Sequence, residues 1–396
     1  MKNALLALAI AGAGARPVAA APGPELTAVD LSDSFVPRVL RPDPDQTLDY
    51  SDRYRALAGE SSLELWGVFP TFGVLAARLA DEDRHACHAA VDGAALAAYA
   101  APIARDDRTP AAERDRPERR AAIGELQEHL VCAGLLAAGG ADRRFGRQTE
   151  QAVALYRRRH MAAAAGRVDA ELRVLLATDS RELDFRAVLR ALRERVVDAT
   201  GLLEDGSARG ERGLVLGRAI DPVSIVDTAG HSPLAAGAPD LVSPAVDAAA
   251  RALGWLDPAS AQAGIEGMRR AGVETAWLRL PPVPRYHGPA MELRAEIDRG
   301  DVWYDDPQGA GGRRRAQPYE RRPALTLYAR DGAGEVALVR WPTTIGTWQR
   351  EKLGGRVVRR YKSSPTGRFV WREIFAAPAW FPPPSTPDQE LVRRGP

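Results

Sequence analysis

The chain has 396 residues, which is too long for one ordinary domain and predicts two or three. Lys and Arg number 54 against 52 Asp and Glu, so a net charge of +2 excludes a nucleic-acid-binding protein that relies on an overall basic surface. Hydrophobic residues make up 45% of the chain and charged residues 27%, which is typical of a folded protein with packed cores.

The first residues are typical of an export signal. Lys2 supplies a positive charge, residues 4–15 are apolar, and Val18-Ala19-Ala20 offers the small side chains that signal peptidase requires. The apolar stretch is too short for a stable transmembrane helix. We therefore expect a signal peptide at 1–20, a mature chain in the periplasm or cell envelope, and no other membrane contact. A retained, uncleaved anchor is the alternative.

Two segments with different patterns follow the predicted signal. Residues 21–49 are rich in Pro, Asp and Ser, which predicts an extended, poorly ordered lead-in. Residues 50–103 show helical periodicity and predict a helical scaffold. Its core candidates are Leu63, Leu65, Trp66, Leu75 and Leu79. Residues 104–120 alternate charges with Ala and Pro, which predicts a surface linker.

The sequence contains two cysteines, Cys87 and Cys132. In an exported protein two thiols often pair, and Cys132 lies off the apolar stripe of its predicted helix, so it can face a neighbouring element. We predict a disulfide between them. The run His85-Ala86-Cys87-His88 is metal-like, but on a helix these side chains point to different faces and no fourth ligand is evident. We therefore predict a helix surface with a disulfide cysteine, no metal and no cofactor.

Residues 121–178 predict a compact unit of three helices. Leu126 and Gln127 lie in the first helix, and the turn Asp142-Arg143-Arg144-Phe145-Gly146 leads through Thr149 into the second, which carries Tyr156. We expect the turn to cap the second helix, Phe145 to enter the core and Gly146 to adopt a positive φ.

This order of residues resembles the peptidoglycan-binding domain of exported wall proteins. The family pattern runs Leu-Gln, then Asp-Gly-x-Phe-Gly, Thr, Ala-Val and an aromatic residue in the second helix. The chain departs from it where Arg143 replaces the first turn glycine and where Arg157 replaces a glutamine. The resemblance implies peptidoglycan as partner. It assigns the binding module to Leu126, Gln127, Asp142, Phe145, Gly146, Thr149 and Tyr156.

Residues 183–310 predict a further helical scaffold region. Amphipathic patterns predict helices at 185–197, 242–255 and 291–299. The acidic residues near the end of this region are Asp298, Asp301, Asp305 and Asp306. They could mimic the paired carboxylates of a glycosidase, but we interpret them as helix-end and turn residues.

Beyond Pro323 the period of the pattern changes to that of strands. Residues 324–329 and 335–341 predict a hairpin around the turn at 331–334. The run from Ser364 to Phe369 then gives a Pro-x-Gly-x-Phe turn, formed by Pro365, Gly367 and Phe369, and a Trp-x-x-Pro-x-Ser run begins at Trp380. This series resembles the opening half of an L,D-transpeptidase catalytic domain, which would occupy residues 320–396.

That family transfers acyl groups through a cysteine thiolate and makes 3–3 cross-links between stem peptides in the cell wall. Its His-Gly and Ser-His/Asn-Gly-Cys motifs follow the matched region in the family. Neither follows it here, and the lone His287-Gly288 precedes the matched region and has no cysteine downstream. No catalytic residue is therefore assigned, and we expect a transpeptidase relative that is inactive as this chain. The alternative is a non-catalytic peptidoglycan-binding protein.

The overall expectation is an α+β protein: a helical scaffold with a three-helix wall-binding module, followed by a partial all-β catalytic domain. Half of a β-domain leaves strand edges unpaired, so we expect poor order near the C-terminus unless another chain completes the sheet.

Overall fold

The computed structural model describes residues 26–41, 49–57, 69–160, 162, 166, 168–202, 241–283, 292–300, 323–331, 334–343, 346–363 and 365–370. Its described residues up to 283 form one compact unit, and those from 292 onward form a second. The predicted signal peptide, the core candidates Leu63, Leu65 and Trp66, and the run beginning at Trp380 lie outside the described residues.

The first unit is largely helical. Its elements are β1 (Thr27–Asp30), α1 (Ser51–Leu57), α2 (Phe72–Leu79), α3 (Glu82–Ala89), α4 (Ala94–Ala98), α5 (Ala111–Arg114), α6 (Pro117–Cys132), α7 (Arg147–Arg159), α8 (Ala170–Ala177), α9 (Ser180–Thr200), α10 (Val242–Leu253), α11 (Pro258–Ala271) and β2 (Thr275–Leu278). Aspartates start four of these helices, because a carboxylate accepts the free N–H groups of a first turn. These caps are Asp81 for α3, Asp169 for α8, Asp179 for α9 and Asp257 for α11.

One core of this unit packs α2, α9, α10 and α11 around the short sheet of β1 and β2. The strands run antiparallel, with Thr27 opposite Leu278. Trp255 is almost fully buried and meets the ring of Phe72 edge-on at 5.2 Å. The predicted core residues Leu75 and Leu79 are also buried here.

The structure differs from the predicted lead-in over residues 26–41. Val29, Phe35 and Leu40 are buried, and β1 pairs with a strand that lies far along the chain. The partner strand supplies the hydrogen bonds that a Pro- and Asp-rich segment cannot make within itself. The poorly ordered lead-in predicted from local composition is therefore wrong for these residues.

A second core joins α4, α6, α7, α8 and the start of α9. Its fully buried side chains include Ile123, Leu126, Phe145, Val153 and Leu172. A single β-bridge between Ile103 and Val168 connects the segment before α5 to the segment before α8. The three predicted helices of residues 121–178 therefore correspond to α6, α7 and α8.

The predicted surface linker at 104–120 is instead part of this packed unit. Helix α6 begins at Pro117, and Arg119 on its first turn is only 2% exposed. The guanidinium of Arg119 pairs with the carboxylate of Asp106 at 2.7 Å and donates to the carbonyl of Ala104 at 2.8 Å. Charged residues of this segment form ion pairs and hydrogen bonds with residues distant in the sequence. The local sequence pattern does not predict these contacts.

The second unit is built from strands. A three-stranded antiparallel sheet has the order β3 (Glu292–Asp298), β4 (Ala324–Asp331) and β5 (Gly334–Pro342), and a separate hairpin joins β6 (Gly346–Leu353) to β7 (Arg356–Ser363). The predicted hairpin strands lie within β4 and β5. The chain is thus a mixture of helices and sheet.

The prediction of a helix at 291–299 is wrong, because this segment forms strand β3. Leu293, Ala295 and Ile297 alternate with charged residues, and this period of two matches a strand paired with β4. Together with β2, this strand also corrects the prediction that 183–310 is entirely helical. Asp298 ends β3, and the neighbouring acidic pair at 305–306 lies outside the described residues.

Candidate functional site

The turn between α6 and α7 is organised by one buried amide, that of Gln127. Its Nε2 donates to the carboxylate of Asp142 at 2.9 Å, the carbonyl of Arg144 at 3.0 Å and the hydroxyl of Thr149 at 3.1 Å. Its Oε1 accepts from the backbone N–H of Arg143 at 2.8 Å. The side chain thus uses its donors and its acceptor to fix the loop onto the first helix of the module.

The positive φ of this turn lies at a different residue from the predicted one. Arg143 has φ 60°, whereas Gly146 has φ −85° and serves as the residue before α7. Arg143 stands where the resembled family has its turn glycine, so the chain keeps the left-handed conformation without the residue that adopts it most easily. Asp142 bonds to the N–H of Arg144 instead of capping α7.

The second departure from the family pattern, Arg157, is fully buried within the module. Its guanidinium pairs with the carboxylates of Asp169 and Glu171, which lie at the start of α8. A buried arginine needs such partners, because an unpaired buried charge is strongly destabilising. The replacement therefore ties α7 to α8 through charge.

The structure brings the seven predicted module residues together, and five of them face inward. Leu126, Gln127, Phe145, Thr149 and Tyr156 are each at most 3% exposed, whereas Asp142 and Gly146 are exposed on the turn. The inward residues therefore build the core of the module and not its surface.

A polar stripe on α6 connects the module to helices α3 and α4. Glu125, His129 and Cys132 recur at helical spacing on one face. The carboxylate of Glu125 accepts the N–H groups of Ala95 and Leu96 at the start of α4. Cys132 is joined to Cys87 of α3 by a disulfide, with their Cα atoms 5.5 Å apart.

The third member of the stripe, His129, contacts a second buried histidine. Its Nδ1 lies 3.1 Å from Nε2 of His88 on α3, and the two rings are 4.4 Å apart. Burial lowers the pKa of His88, and burial with the neighbouring His88 lowers the pKa of His129 to about 4. Both imidazoles are therefore neutral near pH 7. Sequence reasoning missed this pair, although the i, i+3 spacing of His129 and Cys132 was a signal that they share a face.

These two histidines line a cavity of about 390 Å³ between α3, α4, α6 and the junction of α8 with α9. His85 forms another part of the wall, with Nδ1 bonded to the hydroxyl of Ser180 at 2.6 Å and Nε2 to the carbonyl of Arg78 at 3.0 Å. Arg173 also lines it. The volume lies within the range of small-ligand sites.

In the run His85-Ala86-Cys87-His88, which we expect to form a surface of α3, Ala86 and Cys87 are exposed but both histidines are buried. Among the residues that the structure describes, no group of His, Cys, Asp or Glu could hold a metal ion.

The predicted catalytic-domain turn is described from Pro365 to Val370. Gly367 has φ 145°, and a Cβ built on it would lie 3.5 Å from the ring of Phe369, which is itself 65% exposed. No cysteine or histidine lies in this segment.

The fold and turn define a small three-helix module centred on a buried glutamine. Residues 119–176, the segment that forms it, match the family model described as a putative peptidoglycan binding domain. The comparisons with curated proteins and with solved structures give no match. The chain thus contains a segment that matches peptidoglycan-binding domains, and this match supports a cell-wall associated function. In the part of the chain that the structure describes, no helix is both long and apolar enough to cross a membrane.

Proposed function

We propose that this protein binds peptidoglycan in the bacterial cell envelope through residues 119–176. The observation that carries the proposal is the match to the family of peptidoglycan-binding domains over a segment whose three helices share one buried core. The buried hydrogen bonds of Gln127 and the ion pairs of Arg157 support it, because they give the departures from the family pattern a stable place in the module.

The same proposal places the protein outside the cytoplasm. The pattern of residues 1–20 supports export. The disulfide between Cys87 and Cys132 supports an oxidising compartment, because cytosolic thiols are kept reduced. Fractionation of cells that express the full chain tests this, and recovery of the protein with free thiols from the cytosol would contradict it.

A second candidate function is that of an L,D-transpeptidase relative that forms 3–3 cross-links. Its support is the sequence pattern of residues 320–396, together with the hairpin of β4 and β5 and the glycine turn at Gly367. Both cysteines of the 396 residues are in the disulfide, so acyl transfer would require a thiolate that this sequence does not supply. Incubation of the chain with disaccharide-tetrapeptides is expected to yield no cross-linked dimer, and dimer formation would favour the enzyme.

Co-sedimentation with purified sacculi tests the primary proposal. The folded full chain is expected to pellet with sacculi and to remain soluble without them. The variant Gln127→Leu should lose binding as its module loosens, while Glu128→Ala, an exposed neighbour on α6, serves as the matched control. A folded protein that stays in the supernatant with sacculi would refute peptidoglycan binding.

A further inference from the structure

The paired histidines present a fixed set of hydrogen-bonding groups to the cavity. A neutral imidazole has one N–H and one bare nitrogen, and the contact between His88 and His129 uses one of each. Whichever ring donates, the pair is left with one donor and one acceptor, at Nδ1 of His88 and Nε2 of His129. Among the described residues neither atom has a hydrogen-bond partner, and both rings line the cavity. This donor and this acceptor can bond to a C=O and an N–H of a peptide ligand.

The other polar groups of the cavity are mostly committed. The carbonyl of Arg78 can only accept, so Nε2 of His85 carries a proton and Nδ1 accepts from Ser180. A carboxylate oxygen of Asp179 accepts the N–H groups that begin α9. The positive group that remains is Arg173, whose Nη2 donates to a backbone carbonyl and whose buried Nε has no hydrogen-bond partner in the described structure.

The remaining wall is apolar and formed by short side chains. Val91, Leu96, Ala97 and Leu176 contribute aliphatic surface to the same cavity. Such surface suits methyl groups, and an amide, a carboxylate and methyl groups occur together in a short alanine-containing peptide.

We propose that this cavity binds a short peptide with a free carboxylate, with a backbone C=O and a backbone N–H of the peptide on His88 and His129 and the carboxylate on Arg173. The inference rests on the proposed function, because the stem peptides of peptidoglycan are such ligands. It places the binding site between the module and helix α3, so that residues outside 119–176 take part. The disulfide from Cys87 to Cys132 joins the same two helices and holds the paired rings in position.

A titration of the full chain tests the site with N-acetyl-D-alanyl-D-alanine as the probe. The protein carries six histidines, so selective ¹³C labelling of histidine rings gives a simple spectrum. The dipeptide is expected to shift the ring signals of His88 and His129. The signals are assigned with the variants His88→Phe and His129→Phe. Unchanged ring signals at saturating dipeptide would overturn the proposal.

The variant Arg173→Met tests the carboxylate contact without altering the histidine pair. We expect its affinity for the dipeptide to fall about tenfold, the loss of one charge-assisted hydrogen bond. The same dipeptide with a C-terminal amide should bind the variant and the natural protein equally. Arg120→Met, an exposed arginine on α6 that does not line the cavity, is the control. Equal affinities for Arg173→Met and Arg120→Met would contradict the assignment.

N-acetylglucosamine, which has an amide but no carboxylate, distinguishes peptide from glycan recognition. It is expected to bind more weakly than the dipeptide because it offers no carboxylate to Arg173, and binding as tight as that of the dipeptide would overturn the peptide assignment. Co-sedimentation separates this inference from the proposed function. If Arg173→Met pellets with sacculi as fully as the natural protein, this cavity is not the wall-binding site, whereas loss of sacculus binding by every folded protein tested removes the proposed function itself.

Discussion

The backbone N–H of Arg143 donates to Oε1 of Gln127 at 2.8 Å while Arg143 holds a left-handed φ of 60°. This contact fixes the turn between α6 and α7 on the helix that begins the module. It combines a residue in a strained backbone conformation with a buried amide that accepts its N–H. The stem of the Arg143 side chain also lies 3.3 Å from where a Cβ on Gly124 would stand.

Replacing Arg143 with glycine is expected to stabilise the protein by about 0.5–1 kcal/mol. The left-handed conformation costs a non-glycine residue about 1–2 kcal/mol, and glycine removes this cost. The added flexibility of glycine in the unfolded chain offsets part of the stabilisation. The measurement is the urea midpoint of the full chain. Arg144→Gly, at the adjacent residue without a positive φ, should be destabilised instead. Equal destabilisation of both variants would show that the turn is not strained.

Replacing Gln127 with leucine is expected to destabilise the protein by about 2–3 kcal/mol. The side chain remains of similar size, but Arg143 N–H, Thr149 and Asp142 lose their shared partner. Chemical denaturation measures the loss. Glu128→Ala should change stability by less than about 0.5 kcal/mol, as expected for an exposed position. A Gln127→Leu protein as stable as that control would refute the central role of the amide.

Reduction of the disulfide is expected to lower the free energy of unfolding by about 3–4 kcal/mol. The two cysteines are 45 positions apart in the sequence, and the cross-link restricts a loop of about that size in the unfolded chain. Denaturation with and without dithiothreitol gives the difference. The double variant Cys87→Ser/Cys132→Ser should show the lower stability in both conditions, and a response of that variant to reductant would assign the effect elsewhere.

Acidification from about pH 6.5 to 4 is expected to destabilise the first unit. The pKa of His129 falls from 6.5 to about 4 on folding, since its burial disfavours the charged ring. Between these pH values the His129 ring is protonated in the unfolded chain but not in the folded chain. The free energy of unfolding therefore falls as the pH drops, by up to about 3 kcal/mol. Urea midpoints measured across the window test this. In His129→Phe the slope should be shallower, and parallel curves for the two proteins would exclude His129 as the cause.

Much of the module could be predicted from the sequence because its signals are local. Apolar residues such as Leu126 and Phe145 recur at helical spacing, and polar turn residues lie between them. The segment at 291–299 shows the limit of this reasoning. Its alternation of Leu293, Ala295 and Ile297 with charged residues suits a strand, but the presence of a pairing partner in β4 decided it. Residues 26–41 behave similarly, since β2 supplies the hydrogen bonds for β1.

The sequence by itself determined the three helices of the module, the strands of the hairpin at 324–342 and the presence of two cysteines in a chain with an export-like start. Periodicity, turn residues and composition depend on residues that are close in the sequence, so these elements can be predicted without coordinates. Only the tertiary structure decided that Arg143 and not Gly146 takes the positive φ, that Arg119 is buried, and that His88 and His129 meet at a cavity. Each of these depends on groups from separate helices or loops, and their distances follow from packing rather than from any local pattern.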